Sequence, residues 1–141
     1  MRTKTIILVI VLAAVAVGGL YGLKEYNREP EGAGSLVTKE TIDAGELLKA
    51  FQEDEKAATG RFVGTVEQAI QVNGTIRAIA PAEGDKMNVV LETGDALAGV
   101  VCEFAKADVP QAWKAGSTVR VKGICTGMLL DVILVRCSSV E

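Results

Sequence analysis

The sequence predicts a mainly β domain that is preceded by an amphipathic helix and an N-terminal transmembrane helix. Three observations support this architecture. Residues 6–23 carry no charge, apolar residues between positions 44 and 58 recur at helical spacing, and from Ile70 onward apolar and polar residues alternate in short runs. Helical spacing indicates a helix with one apolar face, and strict alternation indicates half-buried strands.

The first element is the uncharged stretch 6–23, which is eighteen residues long. A helix needs roughly 20 apolar residues to cross the hydrocarbon core, with about 17 as the lower limit. Arg2 and Lys4 precede the stretch, and positive residues favour the cytoplasmic side of a membrane. We therefore expect a single-pass membrane protein with a cytoplasmic stub (1–5), an anchor (6–23) and a periplasmic or extracellular C-terminal domain.

The same stretch could instead be a cleaved signal peptide or a buried core helix. A cleavable signal has an apolar region of about 7–15 residues followed by a small-x-small site. Here the small-residue candidates, Ala14-Val15-Ala16 and Val17-Gly18-Gly19, lie inside the apolar run, which favours an anchor that is not cleaved. A lipoprotein processing site is excluded, since no cysteine precedes Cys102.

A linker and an amphipathic helix are expected between the anchor and the β domain. Residues 24–41 are assigned to the linker because Pro, Gly and small polar residues dominate 29–35. Residues 42–60 hold the helix, roughly Ala44 to Ala58, with Leu47, Leu48 and Phe51 on one face. Gly60 is a suitable stop. Residues 61–141 then form the β domain.

Five alternating runs predict the strands of this domain, namely 70–76, 87–93, 98–105, 118–125 and 130–137. Asn73-Gly74 is also a hairpin signal, but we favour a bend or bulge in one long first strand. Asp108, Pro110 and Gly116 predict a short helix between the third and fourth strands, with Trp113 closing the end of the barrel. Five strands with a helix in this position are the layout of the OB-fold, a partly open Greek-key barrel.

Composition argues against several functions. Residues 31–141 carry eleven Lys/Arg and sixteen Asp/Glu, a net charge of −5, whereas nucleic-acid binders usually present a basic face. Histidine is absent, which removes the commonest general base and metal ligand. Three cysteines without a Cys-x-x-Cys spacing make a poor redox or zinc site. No catalysis, metal or cofactor is expected.

The three cysteines, Cys102, Cys125 and Cys137, lie on predicted strands of a domain that is expected to be exported. We expect a Cys125–Cys137 disulfide, because the last two strands of an OB barrel are neighbours. Such a short bridge would contribute roughly 2–3 kcal/mol. A turn at Gly127-Met128 would separate the two residues too far, so Cys102–Cys137 and Cys102–Cys125 remain competing pairs.

Ligands of OB barrels usually meet the face of strands two and three and the loops after strands one and four. The corresponding candidates are Asn88 and Val90 on strand two, Phe104 on strand three, and Thr126, Met128 and Leu129 in the loop after strand four. Phe104 is the only aromatic residue on the second and third strands, and single-strand binders stack bases on aromatic rings. Packing inside the fold is the alternative for Phe104 and for the apolar loop residues, for which a protein or lipid contact is the functional interpretation.

Several motifs resemble one family. Leu48-x-x-Phe51, Phe62-Val-Gly64 and Val72-x-Gly74-x-Ile76 are followed by Val101-Cys-x-Phe104, then by Gly116-x-x-Val-x-Val-x-Gly-x-Cys-x-Gly127 and Asp131-Val-x-Leu-x-x-Cys137. Their order and spacing are similar to the tRNA_anti-like OB-fold family of small bacterial proteins. The resemblance implies the OB-fold and an anchored or exported protein; members of the family mostly have no demonstrated activity.

The expected function is that of a membrane-tethered, extracytoplasmic OB-fold binding or adaptor module that is not catalytic. Its expected partners are the membrane, through the N-terminal helix, and an envelope protein; nucleic acid is not expected as a ligand. The alternatives are a nucleic-acid-binding OB domain and a thiol-dependent redox protein. The ligand and the oligomeric state are not defined by the sequence.

Overall fold

A computed structural model of the chain describes residues 2–26, 32–64 and 68–140. The chain divides into two units, Met1–Pro30 and Glu31–Glu141. The first contains helix α1, Arg2–Tyr26. Its segment Arg2–Leu23 is long and apolar enough to cross a membrane by length and composition.

The second unit is a closed five-stranded barrel, which confirms the predicted fold class. Its strands are β2 (Ala69–Ala82), β3 (Lys86–Leu91), β4 (Val100–Ala105), β5 (Thr118–Met128) and β6 (Val132–Ser139). They follow one another around the barrel in the order β2-β3-β4-β6-β5, and β5 pairs with β2 to close the circle. All pairs are antiparallel except β4 with β6.

Strand β2 serves both sides of the closure, as the bend interpretation of Gly74 predicts. Ala69 to Thr75 pair with β5, whereas Ile76 to Ala82 pair with β3. Gly74 lies at the changeover, where an added Cβ would meet Ala44 Cβ at 3.2 Å and Leu91 Cβ at 3.4 Å. The glycine therefore allows a helix residue and a neighbouring strand to approach the bent strand.

The structure contains an additional strand, β1 (Thr38–Asp43). The sequence pattern places these residues in the linker and at the start of the helix instead. It pairs in parallel with the first half of β2, from Thr38 opposite Ala69 to Asp43 opposite Asn73. Only Ile42 within it is buried, so its composition resembles that of a polar linker. The pairing depends on the free edge of β2, which the sequence of β1 does not reveal.

The segment before β1 is also part of the fold rather than a free linker. Ala33 is fully buried in a small cluster with Ala69 and Ile124. The backbone N–H of Gly34 donates to Ser138 Oγ at 3.2 Å, and Lys122 Nζ donates to the Gly34 and Leu36 carbonyls. The remaining predicted linker residues 27–31 lie outside the described residues.

The predicted amphipathic helix is present but interrupted. Helix α2 (Ala44–Glu53) buries Leu47, Leu48 and Phe51 as expected. Asp54 breaks it and caps helix α3 (Glu55–Ala58), with its Oδ1 accepting from Ala57 N at 3.0 Å. A wide turn, Thr59–Val63, follows and ends at Gly64 rather than at Gly60.

The interruption has a packing reason. The wide turn brings the fully buried Phe62 to Phe51, with ring centroids 6.0 Å apart. Gly64 ends the turn with a φ of 67°, a conformation that favours glycine. A straight helix to Ala58 that stopped at Gly60 would not carry Phe62 back into the core.

The short helix between the third and fourth barrel strands is a single 3-10 turn, Lys106–Asp108. The predicted helix from Asp108 to Gly116 does not form, and two turns, closed by Trp113 N to Pro110 O and by Ser117 N to Lys114 O, take its place. The end of the segment then bonds to the barrel. Gly116 N donates to the Ile76 carbonyl at 2.8 Å, and Ile76 N donates to the Ser117 carbonyl at 2.9 Å. Trp113 still packs on the core, edge-on to Phe104 at 5.6 Å.

A bulge on β6 shapes the core near the last cysteine. Lys122 faces Ser138 and Ile124 faces Val135, so Arg136 and Cys137 together oppose Gly123. Arg136 adopts a φ of 54°, as one residue of such a bulge often must. Cys137 turns inward, and its Sγ lies 2.6 Å from where a Cβ on Gly123 would stand.

We therefore expect Gly123→Ala to lower the free energy of unfolding by about 1–3 kcal/mol, as overpacked cores do. The double variant Gly123→Ala/Cys137→Ala should recover part of the loss, because it removes the clashing sulfur. Gly60→Ala is the matched control, since nothing lies within 4 Å of its added Cβ. Urea unfolding measures all three, and equal midpoints for Gly123→Ala and wild type would contradict the packing.

Candidate functional site

The outer surface of β3 and its neighbours holds two of the predicted site residues. Asn88 and Val90 are half-buried and alternate with the buried Val89 and Leu91, so they face away from the core. Register places Ala80 and Glu103 beside Asn88, and Ala78 and Val101 beside Val90. We call these six residues the strand face: Ala78, Ala80, Asn88, Val90, Val101 and Glu103.

The strand face is electrically balanced. Lys86 Nζ contacts Glu103 Oε1 at 2.9 Å. At the neighbouring bend, Arg77 contacts Glu92 at 2.8 Å and donates to the Asp95 carbonyl at 2.7 Å. The hydrogen bond from Arg77 lowers the pKa of Glu92. Cations beside this face are thus matched by carboxylates, which weakens any attraction for phosphate.

Phe104 does not belong to this surface. Its side chain is fully buried and packs edge-on against Trp113 at an interplanar angle of 85°. The assignment of Phe104 as a ligand-binding candidate does not hold for this surface, because its position on β4 points into the barrel, as the burial of alternate residues shows. The core interpretation of this aromatic residue is confirmed.

The other predicted residues lie on the β5–β6 hairpin. Leu129 and Leu130 are 84% and 83% exposed, whereas Met128 packs partly against the core. Asp131 stabilises the turn, since its carbonyl accepts from Leu129 N at 3.1 Å and its Oδ1 accepts from Gly99 N at 2.7 Å. The hairpin tip is therefore held in place although its leucines face solvent.

The loop between β3 and β4 reaches the same end of the barrel. Gly99 bonds to Asp131 on one side, and two residues earlier Leu97 is 93% exposed. Asp95 Oδ1 accepts from Leu97 N at 2.8 Å and from Ala98 N at 3.2 Å. The bond from Leu97 N, then the bond from Gln52 Nε2 and the bond from Ala98 N, lower the pKa of Asp95. We call Leu97, Leu129 and Leu130 the leucine tip.

A pocket of about 400 Å³ opens between the hairpin and α3. We call it the hairpin pocket, and its lining is Glu55, Thr59, Thr126, Gly127, Met128, Leu129 and Ile133. Thr126, Met128 and Leu129 were predicted from the sequence. Glu55 and Thr59 were missed because they come from the helix before the barrel, and only the tertiary fold brings them to the hairpin. Asn88 and Val90 are not part of this pocket.

The three cysteines converge in the barrel core as buried free thiols. The Cys102 and Cys137 thiols are hydrogen-bonded, whereas Cys125 pairs in register with Leu134. Cys137 lies three positions after Leu134, about 10 Å along a strand, and a disulfide needs Cα atoms within about 7 Å. The structure thus does not form the expected Cys125–Cys137 bond, and the pair in contact is Cys102–Cys137.

Burial makes these thiols weak nucleophiles. Desolvation raises the pKa of Cys125 from its ordinary value of 9.0 to about 11. It also raises the pKa of Cys137, and the hydrogen bond with Cys102 adds to the effect. Thiolate is the reactive form of cysteine, so this arrangement does not favour redox chemistry. Across residues 2–26, 32–64 and 68–140, no group of three His, Cys, Asp or Glu side chains is suited to a metal ion.

A family model described as tRNA_anti-like matches residues 1–139 of the chain. Among solved structures, a lipoprotein from Klebsiella pneumoniae, provisionally described as nucleic acid-binding, superposes with a TM-score of 0.55 at 16% identity, covering 71% of this chain and 91% of the other. The yeast Stn1 and Ten1 structure gives a TM-score of 0.46 at 12% identity, covering 79% and 66%. Curated protein sequences yield no match. At these identities the structural likeness shows the fold alone.

The thiols provide a test of the core. We expect Cys102, Cys125 and Cys137 to resist alkylation in the folded, reduced protein at about pH 8 and to react fully after unfolding. Because folding raises the pKa of Cys125, the neutral thiol stabilises the protein below pH 9.0, and this contribution falls as the pH rises towards about 11. Mass spectrometry after iodoacetamide treatment, with urea unfolding at both ends of that range, checks both statements. Rapid alkylation of the folded protein would contradict the burial.

Proposed function

The chain belongs to the tRNA_anti-like family, and on that premise we propose that it is a membrane-tethered binding or adaptor module that acts outside the cytoplasm. The observation that carries the proposal is the leucine tip. Three leucines more than four-fifths exposed lie at one end of a barrel whose loops are held by hydrogen bonds. Covering one leucine completely is worth about 1.5–3 kcal/mol, so a partner gains binding energy there.

The tether is supported by the N-terminal helix. Arg2–Leu23 has the length and composition of a membrane span, and its basic residues Arg2 and Lys4 lie at the front. A signal peptide shares these properties, and we favour the anchor because the small-residue sites fall inside the apolar run. We infer that the positively charged front of the helix stays in the cytoplasm, with the barrel in the periplasm or outside the cell.

A role without catalysis fits the side chains. The sequence contains no histidine, and burial raises the pKa of the Cys125 and Cys137 thiols. In the described part of the barrel unit, the carboxylates Glu40, Glu92 and Glu103 are engaged in ion pairs with exposed cations. Such pairs neutralise one another on a surface and do not form an acid–base site.

Nucleic-acid binding is the second candidate, favoured by the description of the Klebsiella lipoprotein and by its similar fold. The aromatic residues after position 31 are Phe51, Phe62, Phe104 and Trp113. The three phenylalanines are at most 1% exposed, and Trp113 packs on the core. Stacking platforms for single strands are therefore missing from the strand face, and the net charge of residues 31–141 is −5.

Topology can be tested in cells. We expect a reporter that is active only after export to be active when fused after Glu141, and mass spectrometry of the mature protein to find Met1–Leu23 intact. Replacing Arg2 and Lys4 with serine should reduce reporter activity, because the positive residues orient the helix. A mature N-terminus after residue 18 would replace the anchor with a signal peptide.

Ligand class can be tested with the purified full chain in nanodiscs of zwitterionic lipid. Fluorescence anisotropy with single-stranded DNA and RNA at low salt should show no binding beyond that of empty nanodiscs. Phosphate contacts are strongest at low ionic strength, so the condition favours the second candidate. Saturable binding that weakens with added salt would establish nucleic acid as the ligand instead.

A further inference from the structure

The hairpin pocket and the leucine tip form one continuous feature of the fold. Leu129 belongs to both, and Asp131 joins the hairpin turn to Gly99 in the loop that carries Leu97. Building on the proposed binding function, we propose that this feature receives a protein segment in which apolar side chains stand next to lysine or arginine. The strand face, where OB barrels usually meet ligands, is then not the principal contact surface.

The apolar part of the recognition comes from the hairpin. Met128 and Ile133 are half-buried in the pocket wall, and Leu129 is exposed above them. A pocket of about 400 Å³ lies within the range of about 300–1,000 Å³ that is usual for binding sites. It is open on one side, so it can admit side chains that project from a continuous segment. Strands β5 and β6 already pair with neighbours on both edges, so the segment binds through side chains rather than by strand addition.

The negative charge around the hairpin pocket and the leucine tip favours one kind of partner. Glu55 lines the pocket, and none of the ion pairs found among the described residues includes it. Asp95 and Asp131 add carboxylates close to the leucines. Arg77 lies near both of them, but its guanidinium is already paired with Glu92 and bonded to the Asp95 carbonyl. Among residues 2–26, 32–64 and 68–140, no Lys or Arg lines the pocket. Complementary charge therefore calls for a basic segment.

The same charges argue against a lipid surface as the occupant. Exposed leucines at a hairpin tip can insert into a bilayer, but membrane-binding surfaces usually carry Lys or Arg beside the apolar residues to attract anionic headgroups. Here the charged residues closest in sequence to the leucines are Asp95 and Asp131. Anionic headgroups would be repelled by these carboxylates, whereas a basic protein segment would pair with them.

The probe is a fluorescein-labelled peptide in which leucines alternate with lysines, titrated with the full chain in zwitterionic nanodiscs. We expect saturable binding that weakens with added salt. Peptides with glutamate in place of lysine, or serine in place of leucine, should bind at least about tenfold more weakly, since each loses one of the two kinds of contact. Equal binding of the glutamate peptide would overturn the charge argument.

Variants locate the site. Glu55→Gln should weaken the lysine peptide about twofold to fivefold, the range of an exposed ion pair, and leave a peptide with glutamine in place of lysine unchanged. Leu129→Ser should weaken both peptides about tenfold. Glu83→Gln and Val37→Ser are the matched controls, because both residues are exposed and lie outside the pocket lining. Equal effects of Glu55→Gln and Glu83→Gln would overturn the assignment.

Photocrosslinking in intact cells separates this inference from the proposed function. A benzophenone residue at position 129 should crosslink to a protein segment that contains apolar and basic residues, and Glu55→Lys should suppress the product. Crosslinks to protein from positions 80 and 90 alone would overturn the hairpin site and leave the binding module intact. Lipid adducts at position 129 would also overturn the site. Nucleic-acid adducts at positions 80 and 90 would overturn both.

Discussion

The structure depends on one strand that pairs on both sides of the barrel closure. The first half of β2 pairs with β5 and the second half pairs with β3. The circle of backbone hydrogen bonds therefore closes only if this strand bends. Gly74 stands at the bend with Ala44 and Leu91 packed closely around it. Once β2 is bent, its first half offers a second edge, and β1 pairs there in parallel. The segment with Ala33 docks beside it, so a stretch with the composition of a linker becomes part of the fold.

The core of the barrel contains three thiols, and a backbone irregularity makes room for that of Cys137. The bulge at Arg136–Cys137 turns the cysteine inward against Gly123, and the absent Cβ of this glycine leaves space for the sulfur. Burial then raises the pKa values of Cys125 and Cys137. The same packing that stabilises the barrel lowers the reactivity of its cysteines. The proposed function therefore rests on surface contacts rather than on thiol chemistry.

Membership of a family defines the scaffold, while the ligand depends on side chains at the surface. In this chain the strand face combines alanine, valine and a matched Lys86–Glu103 pair, and the phenylalanines are buried. Exposed leucines occur instead at the leucine tip, beside the hairpin pocket that Glu55 lines. The same strands and loops can carry different side chains. A fold that often binds nucleic acid can therefore present a surface suited to a basic, apolar protein segment.

The sequence by itself determined those helices and strands that a local pattern identifies without knowledge of what they pack against. A long stretch without charge identifies the N-terminal helix, and the alternation of apolar and polar residues identifies five strands. Apolar residues at helical spacing identify the buried face with Leu47, Leu48 and Phe51. The hairpin residues Thr126, Met128 and Leu129 were found because the OB layout places a loop there. Tertiary structure decided the rest, because it concerns contacts between distant segments. The polar segment β1 forms a strand only because the edge of β2 pairs with it, and the register of β4 turns Phe104 inward. A bulge brings Cys137 to Cys102 rather than to Cys125. Glu55 reaches the pocket because Asp54 interrupts the helix before it.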